Sequence, residues 1–415
     1  MLNRSLPLAA LTLSAFAALP LRAAADVLLV DGQGGPGAFL GIQGAVLSAS
    51  DGDTILVKEG EYPEFEVAGK SVTILAEQGA DVRIVPTFAS EPIPLVVRDL
   101  AADQAVVVRG IRLLPDVLGP LEPAVQLLDN LGAVLLEDVH VETFPGWASL
   151  ALLVENCAAV VLTRCSFRAG FCIEPCPGGE LIDSSVTLYD TQLFGADGLP
   201  TGLFLPAGPG GAGLAVSGGR VFAAGCTFQG GSGGPSGPEE CNAEAGDGLV
   251  LGAGAPTVTV RDTLLAPGLP GTGGLSDPPC ADLEGQPLVV VSGAFQELAG
   301  DARSLVASAP VREGEALALT FGGTPGELAF LAFSNALAPS FLPPVAGDFV
   351  LAKPFGIVFS GELDASGTLA DSVPVGELGP GVLALPVQLQ AIHLTGLGGA
   401  FVGAPSSTVL LDGAL

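Results

Sequence analysis

The chain has 415 residues, of which 49% are hydrophobic and 14% are charged, with 44 Asp plus Glu against 15 Lys plus Arg. This length is enough for two domains and a large core. The net charge of −29 argues against nucleic acids and anionic membranes as partners, because phosphate binding needs clustered cations. The acidic surface fits solubility alone, and it also fits weak Ca²⁺ binding.

Residues 1–25 predict a secretory signal peptide. Arg4 supplies a positive start, residues 6–21 are apolar but short for a membrane span, and the three alanines at 23–25 fit a cleavage site before Asp26. No later stretch predicts a transmembrane segment. We therefore expect a secreted or cell-surface protein without membrane insertion, in surroundings that permit disulfides.

The first part of the mature chain predicts a strand, a short helix and further strands. Apolar residues at helical spacing run from Phe39 to Ser50, between strands at 27–30 and 54–57. A stack of strands exposes backbone groups and apolar interior at its open end. A short amphipathic helix laid across that end would cover both.

An eight-residue phrase then occurs six times along the chain. Four of its eight residues are predicted to point into the interior, and the first, second and fourth of these are mostly apolar. The starts lie 26 to 37 residues apart, and a fixed unit with variable inserts is typical of a stacked array. Alternation at period two predicts strands, and its break after the second inward residue predicts a bend. The phrases therefore predict a parallel β-helix with coils stacked about 4.8 Å apart. Their inward residues are Val106-Val108-Ile111-Leu113, Val134-Leu136-Val139-Val141, Val160-Leu162-Cys165-Phe167, Val186-Leu188-Thr191-Leu193, Val221-Ala223-Cys226-Phe228 and Val258-Val260-Thr263-Leu265.

The segments between the phrases predict turns and loops. The inserts at 195–213, 230–248 and 267–287 are rich in Gly and Pro and predict surface loops on one side of the stack. Asn130 and Asn156 each stand four residues before a phrase. Stacked, they would form a two-rung hydrogen-bonded ladder, although two unrelated turn residues are the simpler explanation.

Several N-terminal residues resemble the N-terminal cap of the secreted right-handed parallel β-helix proteins of the pectin-lyase-like group. The resemblance covers roughly residues 26–290 and implies a right-handed β-helix with an N-terminal cap helix. It implies little about activity, because that group includes lyases, hydrolases and epimerases. The residues that carry it are Phe39, Ile42-Gln43, Ala45, Gly52-Asp53-Thr54-Ile55, Gly60, Tyr62 and Gly69-Lys70-Ser71.

Beyond residue 300 the pattern changes to short strands separated by Gly and Pro. Seven such strands over about 115 residues predict an antiparallel β-sandwich. We therefore predict an all-β chain with a signal peptide at 1–25, a right-handed parallel β-helix at 26–300 and a β-sandwich at 301–415. The seven strands are predicted at 316–321, 328–333, 349–351, 357–363, 369–375, 382–392 and 409–411.

The chain has seven cysteines, so at least one thiol should be free or intermolecular. Cys165 and Cys226 take inward positions two coils apart, about 9.6 Å, which is beyond disulfide reach. We predict that both are buried packing residues. Without a CxxC pair or a nearby His, no metal site is predicted at the cysteines. The predicted bridges join Cys172 with Cys176 and Cys241 with Cys280.

The catalytic motifs of the β-helix enzymes do not carry over to this sequence. Polygalacturonase-type hydrolases use an adjacent Asp pair and a Gly-His segment, and pectate-type lyases need a Ca²⁺-binding carboxylate cluster with an Arg or Lys base. This chain has no Asp-Asp, no Gly-His and no Lys between residues 71 and 352. Asp51-Gly52-Asp53 suggests Ca²⁺, but a turn explains it without a ligand. No catalytic residue, metal or cofactor is predicted, and Ca²⁺ stays the open alternative.

One row of outward residues predicts a weak binding site. Stacking would align His140 with Ser166, Gln192 and Thr227, and would place Asp138, Arg164 and Asp190 beside them. A His among carboxylates and an Arg, with aromatic platforms, would suit a sugar. A solvated face whose alternating charges stabilise stacked strands explains the same residues without a ligand, and His393 reads as structural. The candidate binding residues are His140, Trp147, Arg164, Tyr189 and Asp190.

These features predict an exported, non-catalytic β-helix protein with an extracellular or cell-surface structural or binding role. Polysaccharide is the candidate partner, and nucleic acid is not. The alternative is a polysaccharide lyase or glycoside hydrolase with a diverged active site. An enzyme should show three or more ionisable groups converging in a groove, whereas a binding module should show exposed aromatic side chains.

Overall fold

The structure, a computed structural model, describes residues 25–86, 93–114, 123–142, 150–170, 175–201, 207–237, 241–274, 284–342, 347–396 and 398–415. These residues contain 36 strands and one helix, α1 (Ile42–Ser48). The chain is therefore all-β, as predicted. Within the described ranges, no helix is both long and apolar enough to cross a lipid bilayer.

Three long sheets, each made of parallel strands only, fit a parallel β-helix-like fold. Sheet I contains β1 (Val27–Val30), β2 (Asp53–Val57), β5 (Val72–Ala76), β8 (Ala105–Arg109), β11 (Ala133–Glu137), β14 (Ala159–Thr163), β17 (Ser185–Tyr189), β20 (Arg220–Ala224), β23 (Thr257–Arg261) and β26 (Ala294–Leu298). Sheet II contains β3 (Gly60–Tyr62), β6 (Val82–Ile84), β9 (Ile111–Leu113), β12 (His140–Val141), β15 (Ser166–Arg168), β18 (Gln192–Phe194), β21 (Thr227–Gln229) and β24 (Leu264–Ala266). Sheet III contains β4 (Phe65–Ala68), β7 (Leu95–Arg98), β10 (Val125–Leu128), β13 (Leu152–Glu155), β16 (Gly179–Ile182), β19 (Leu214–Ser217), β22 (Leu249–Leu251) and β25 (Leu288–Val290).

The repeated phrase defines the coils of this solenoid. Its first half lies in sheet I and its second half in sheet II, and the strand ahead of it lies in sheet III. The phrases stack in register, so that Val134 pairs with Val106 on one side and Val160 on the other. The predicted stacking of the phrases is confirmed.

One residue with a left-handed backbone marks each bend between sheet I and sheet II. Such a residue turns the strand and resets the alternation, so that both halves of the phrase face the interior. Arg164 is the one bend residue that is neither Gly nor Asp, the types that tolerate this conformation best. In six successive coils φ lies between 46° and 77° at Gly110, Asp138, Arg164, Asp190, Gly225 and Asp262.

The inward residues form one continuous apolar core. Val134, Leu136 and Phe167 are 0% exposed, like their counterparts in most coils. Burial of one such side chain contributes roughly 1.5–3 kcal/mol. The buried residues of α1, including Ile42 and Val46, belong to the same core at its first coils.

The turn from sheet III to sheet I buries a polar side chain, Asn130, which is 0% exposed. Its amide lies 3.5 Å from the sulfur of Cys157 in the next coil, and the backbone N–H of Cys157 donates to the Ser184 hydroxyl at 3.0 Å. Asn156 lies on the outside and donates to Asp129 at 3.1 Å. The two asparagines therefore do not stack, because the turn at Asn130 is one residue longer.

The Gly-rich inserts stack against one another instead of projecting as separate loops. Backbone hydrogen bonds join them, as from Gly211 N–H to Ala196 O and from Gly231 N–H to Gly211 O, both 2.8 Å. A Cβ at Gly198, Gly211 or Gly231 would lie 1.8 Å from a carbonyl oxygen of a neighbouring segment. Collagen obeys the same rule, since only Gly fits where backbones approach this closely. The glycine layer, as we call it, consists of residues 175–178, 195–201, 207–213, 230–237, 241–248, 267–274 and 284–287.

The remaining strands, which we call the C-terminal unit, form three smaller sheets. One is antiparallel, with β27 (Ser304–Ala307), β29 (Ala316–Gly322) and β34 (Thr368–Pro374). The second has the order β28 (Val311–Arg312), β36 (Ala400–Leu411), β35 (Ala384–Leu394), β30 (Leu328–Ser334) and β33 (Gly356–Glu362), and only its β28–β36 pair is parallel. The third pairs β31 (Leu337–Leu342) with β32 (Gly347–Leu351). The seven predicted strands all overlap observed ones, and the sequence missed β27, β28 and β31. Leu317 and Phe321 share one core with Leu331 and Leu389, so the first two sheets pack together.

Candidate functional site

The C-terminal unit covers the outer face of sheet I. Val107, Leu135 and Val161, from three successive strands, pack against Phe349 and Val350. All five residues are at most 7% exposed. One of the three outer faces of the solenoid is therefore largely an internal interface rather than a surface open to ligands.

Glu137 is the central charge of this interface, and its side chain is completely buried. Its carboxylate accepts hydrogen bonds from the Ser406 hydroxyl at 2.6 Å, the Ser407 backbone N–H at 2.6 Å and the Ser407 hydroxyl at 2.5 Å. It also pairs with Arg109, at 3.1 Å, and with Arg164. The buried carboxylate is thus fully hydrogen-bonded, as desolvated charges need to be.

The two arginines also bind the backbone of the C-terminal unit. Arg109 donates to the carbonyl of Ala307 at 2.7 Å, and Arg164 donates to that of Leu305 at 2.9 Å. Arg164 pairs with Asp138 at 2.9 Å as well. Burial alone would lower the pKa of Arg164, but the two adjacent carboxylates outweigh it and hold this pKa above its ordinary value. Arg164 is therefore part of the interface.

A second buried carboxylate, Asp348, binds the solenoid from the side of the C-terminal unit. Its two oxygens each lie 2.9 Å from the guanidinium group of Arg220, and one accepts the Thr187 hydroxyl. The Tyr189 hydroxyl donates to the backbone carbonyl of Asp348 at 3.1 Å. Burial, together with the Asp348 charge, raises the pKa of Tyr189 well above its usual value. Tyr189 is 1% exposed, so its ring cannot serve as the aromatic platform that the sequence suggested.

A third contact between the solenoid and the C-terminal unit surrounds Arg303, which lies in the linker between β26 and β27. Its side chain is 4% exposed and pairs with Glu327, while its guanidinium carbon lies 4.1 Å from the centre of the Phe401 ring. Arg261, from the solenoid, lies 4.9 Å from the same ring. His393 is fully buried with Nδ1 3.4 Å from Glu327. Burial lowers the pKa of His393 to about 4. The Glu327 charge raises this pKa, and the Arg303 charge lowers it further.

The row that the sequence predicted on sheet II is present. His140 is half-buried, and burial lowers its pKa despite the opposing charge of Asp138. Trp147 lies outside the described residues. Of the other candidates, Arg164 and Tyr189 belong to the interface, and Asp190 lines a separate cleft. The register partners in the row are His140, Ser166, Gln192 and Thr227.

Asp190 lines an open cleft of about 730 Å³ where the last coils meet the C-terminal unit. Two further carboxylates, Asp262 and Glu297, line the solenoid side, and Ser304 and Gly323 line the opposite side. The described lining contains no Lys, Arg or His. The cleft is therefore a polar, acidic concavity that remains accessible beside the covered face.

Burial raises the pKa of Asp190 to about 6, with Arg164 lowering it and Asp262 raising it. Gly225 occupies the bend position of the coil between the two aspartates. A Cβ there would lie 2.5 Å from the Asp190 carboxylate, so Gly225 leaves room for this group. Asp262 accepts the backbone N–H of Ala302 at 3.0 Å, which fixes the linker beside the cleft. A carboxyl that titrates near neutral pH in a cleft is a candidate functional group.

The Asp51-Gly52-Asp53 segment holds a turn, as the sequence suggested. Asp51 accepts the backbone N–H of Ser71 at 2.6 Å. Asp53 accepts those of Asp26 at 2.9 Å and Ser50 at 2.8 Å. Among the described residues, no three His, Cys, Asp or Glu side chains are grouped to hold a metal ion.

Three of the five described cysteines are buried free thiols. Cys157, Cys165 and Cys226 are free and buried, and burial raises the pKa of Cys165 and of Cys226 to about 12, so these two thiols are unreactive. Cys172 and Cys280 lie outside the described residues, so the two predicted pairings stay predictions.

The covered face of sheet I was not predicted from the sequence, although a signal for it was present. The residue between the two apolar positions of a strand should be polar if it faces water. Val107, Leu135 and Val161 are apolar at that position in three successive coils. This pattern predicts a covered outer face, and only the identity of the cover lies beyond the sequence pattern.

Comparison with known proteins assigns no family. No family model matches the chain, and no curated protein matches it. A solved structure that matches is superoxide reductase (neelaredoxin) from Ignicoccus hospitalis, with 14% identity over 26% of this chain and 80% of that chain and a TM-score of 0.16. A likeness this low carries no argument about fold or function.

Proposed function

We propose that the chain is an exported, non-catalytic β-helix protein whose acidic cleft binds an extracellular or cell-surface polysaccharide. The proposal includes a signal peptide at 1–25, a right-handed solenoid of the pectin-lyase-like kind closed by α1, and a C-terminal sandwich. The observation that carries it is the cleft at Asp190, Asp262 and Glu297. It is an accessible polar concavity that three carboxylates line beside the interface.

The chemistry of the cleft suits a neutral, hydroxyl-rich ligand. Carboxylates accept hydrogen bonds from sugar hydroxyls, and the opposite wall adds the Ser304 hydroxyl and the backbone of Gly322 and Gly323. Anionic ligands are disfavoured, because three carboxylates and no cation line the cleft. The ionisable residues of the interface, by contrast, are engaged in holding the two parts of the protein together.

Binding to immobilised neutral polysaccharides, such as xylan, galactomannan and mixed-linkage glucan, tests the proposal. Thr227 lines the cleft, so Thr227→Arg should fill it and weaken retention about tenfold or more, a loss of ~1.4 kcal/mol. Gln192 is the exposed register partner of Thr227 in the preceding coil and lies outside the cleft, so Gln192→Arg is the matched control. Absence of retention by the parent protein, or equal retention by both variants, would refute the proposal.

A glycoside hydrolase is the second candidate, and the placement of two aspartates favours it. Asp190 and Asp262 occupy the same bend position two coils apart, which is about 9.6 Å along the stack. This backbone spacing lies at the upper limit of the separation between the carboxyl groups of inverting glycosidases, about 6.5–9.5 Å, and such enzymes need one carboxyl with a raised pKa as the acid. Asp190, with its pKa of about 6, would be that acid and Asp262 the base. Release of reducing ends from the same polysaccharides, abolished in both Asp190→Asn and Asp262→Asn, would establish this activity over the non-catalytic one.

A further inference from the structure

The last coil of the solenoid ends in three strand edges. β24, β25 and β26 are the outermost strands of sheets II, III and I. In the neighbouring strands β22 and β23, Leu249 and Val258 are 0% exposed, whereas none of the residues of the three outermost strands is buried. Val290, which pairs in register with the buried Leu251, is 48% exposed. This end therefore presents a cross-section of the apolar core together with backbone edges, and such edges accept an added strand.

The charge of this end is uniformly acidic. Residues 262–302 contain six Asp or Glu and no Lys, Arg or His. Of the six, Asp262, Glu284, Glu297 and Asp301 lie in the described part, so each of the three edge strands has a carboxylate within or close to it. An added strand with basic side chains would complement these charges.

Glu297 is the carboxylate that a basic side chain of an added strand would stabilise most. It pairs in register with Val260, and Phe295 pairs with Val258. Both valines are inward residues of the core, at most 2% exposed. Glu297 therefore places a carboxylate at a core register position of β26, where an apolar strand would leave it unpaired. An inward carboxylate of this kind disfavours pairing with an uncharged strand. A Lys or Arg in the added strand would neutralise the charge of Glu297.

We propose that the open end at β24, β25 and β26 binds an extended, basic segment of a partner polypeptide, which adds to β26 with a Lys or Arg opposite Glu297. A second copy of this chain fits less well. It would bring two sets of the same carboxylates together, on chains that each carry a net charge of −29. At the other end of the solenoid, the buried residues of α1 pack on the core, so a head-to-tail copy would meet a helix there rather than an exposed core.

Fluorescence anisotropy with synthetic peptides tests this proposal. The lysine peptide has about nine residues that alternate Val and Thr, with one central Val replaced by Lys. The glutamate peptide carries Glu at the same place. The parent protein should bind the lysine peptide about fivefold more tightly, and Glu297→Lys should reverse the preference. Glu297 is exposed, so this variant should unfold at the same urea concentration as the parent.

Three outcomes would overturn the proposal. They are absence of binding of either peptide, an unchanged preference in Glu297→Lys, and a dimer in sedimentation that the lysine peptide dissociates, since the occupant would then be a second copy. Glu297 lines both the cleft and the end, whereas Asp190 lines the cleft alone, so Asp190→Asn should weaken polysaccharide binding and keep the affinity for the lysine peptide. A failure of polysaccharide binding is thereby distinguishable from a failure of strand binding.

Discussion

Replacement of Glu137 by Gln should destabilise the protein far more than the same change in an exposed ion pair. Gln keeps the size of the side chain but removes the charge that Arg109 and Arg164 neutralise. Removal of one partner from a buried, hydrogen-bonded charge cluster costs about 3–5 kcal/mol. Glu137 is 0% and the Arg109 side chain 10% exposed, so solvent cannot replace the lost interaction.

Glu66→Gln is the matched control for Glu137→Gln. Glu66 pairs with Arg98 at 2.5 Å, but the two side chains are 41% and 46% exposed. Exposed pairs contribute about 0.2–1 kcal/mol. Urea unfolding followed by circular dichroism should show a large loss for Glu137→Gln and little for Glu66→Gln. Equal losses would refute the reasoning, because they would mean that water reaches Glu137 and that the interface is not closed.

Two further predictions concern stability. Neutral His393 is favoured in the folded state, where its pKa is about 4 against an ordinary 6.5. The resulting stability is therefore full above pH 6.5 and falls, by up to about 3 kcal/mol, as the pH drops to 4. His393→Phe should flatten this part of the unfolding-versus-pH curve, and an unchanged slope would contradict it. Gly231→Ala should destabilise by at least about 1–3 kcal/mol, because its Cβ meets a carbonyl oxygen at 1.8 Å. The control, Gly376→Ala, meets no atom within 4 Å, and thermal unfolding that ranks the two variants equally would contradict the packing of the glycine layer.

The solenoid could be predicted because its rule repeats. Each phrase carries its own inward residues, so six instances independently predict the same stacked strands. An irregular residue in one phrase does not change that prediction. The bend was also readable, since the alternation breaks where a left-handed residue such as Asp138 or Asp190 stands. The positions of seven strands in the C-terminal unit were readable for the same local reason, alternation between Gly and Pro punctuation, but β36 begins at Ala400, nine residues before the predicted start at 409.

The residues that cover sheet I could not be predicted, because the two sides of the interface are far apart in sequence. Glu137 and Ser407 are 270 residues apart, and nothing local to either residue marks the other. Single-residue reasoning also assigned Arg164 and Tyr189 to the outside of the solenoid, which is correct for the coil alone. The C-terminal unit covers that face, so that Arg164 and Tyr189 bind the C-terminal unit instead of a ligand. Asp190 is the exception, because in its coil the bend lines the open cleft beside the cover.

The glycine layer shows a different limit. Gly-rich and Pro-rich segments ordinarily predict irregular loops, and single inserts carry no other signal. The spacing of three between glycines such as Gly195 and Gly198, or Gly231 and Gly234, was present in the sequence. This spacing predicts close backbone packing only if neighbouring segments stack on the glycines. It can therefore be interpreted only after the coils have been aligned.

Titration of Tyr189 is the most direct test of the covered face of sheet I. The chain contains two tyrosines, so Tyr62→Phe leaves Tyr189 as the single phenol, and its ionisation can be followed by absorbance at 295 nm. With the C-terminal unit docked, Tyr189 is buried against Asp348 and should ionise only well above its ordinary pKa of 10.0, together with unfolding. Ionisation near pH 10 in the folded protein would contradict the account, because Tyr189 would then be exposed to water and the face of sheet I uncovered.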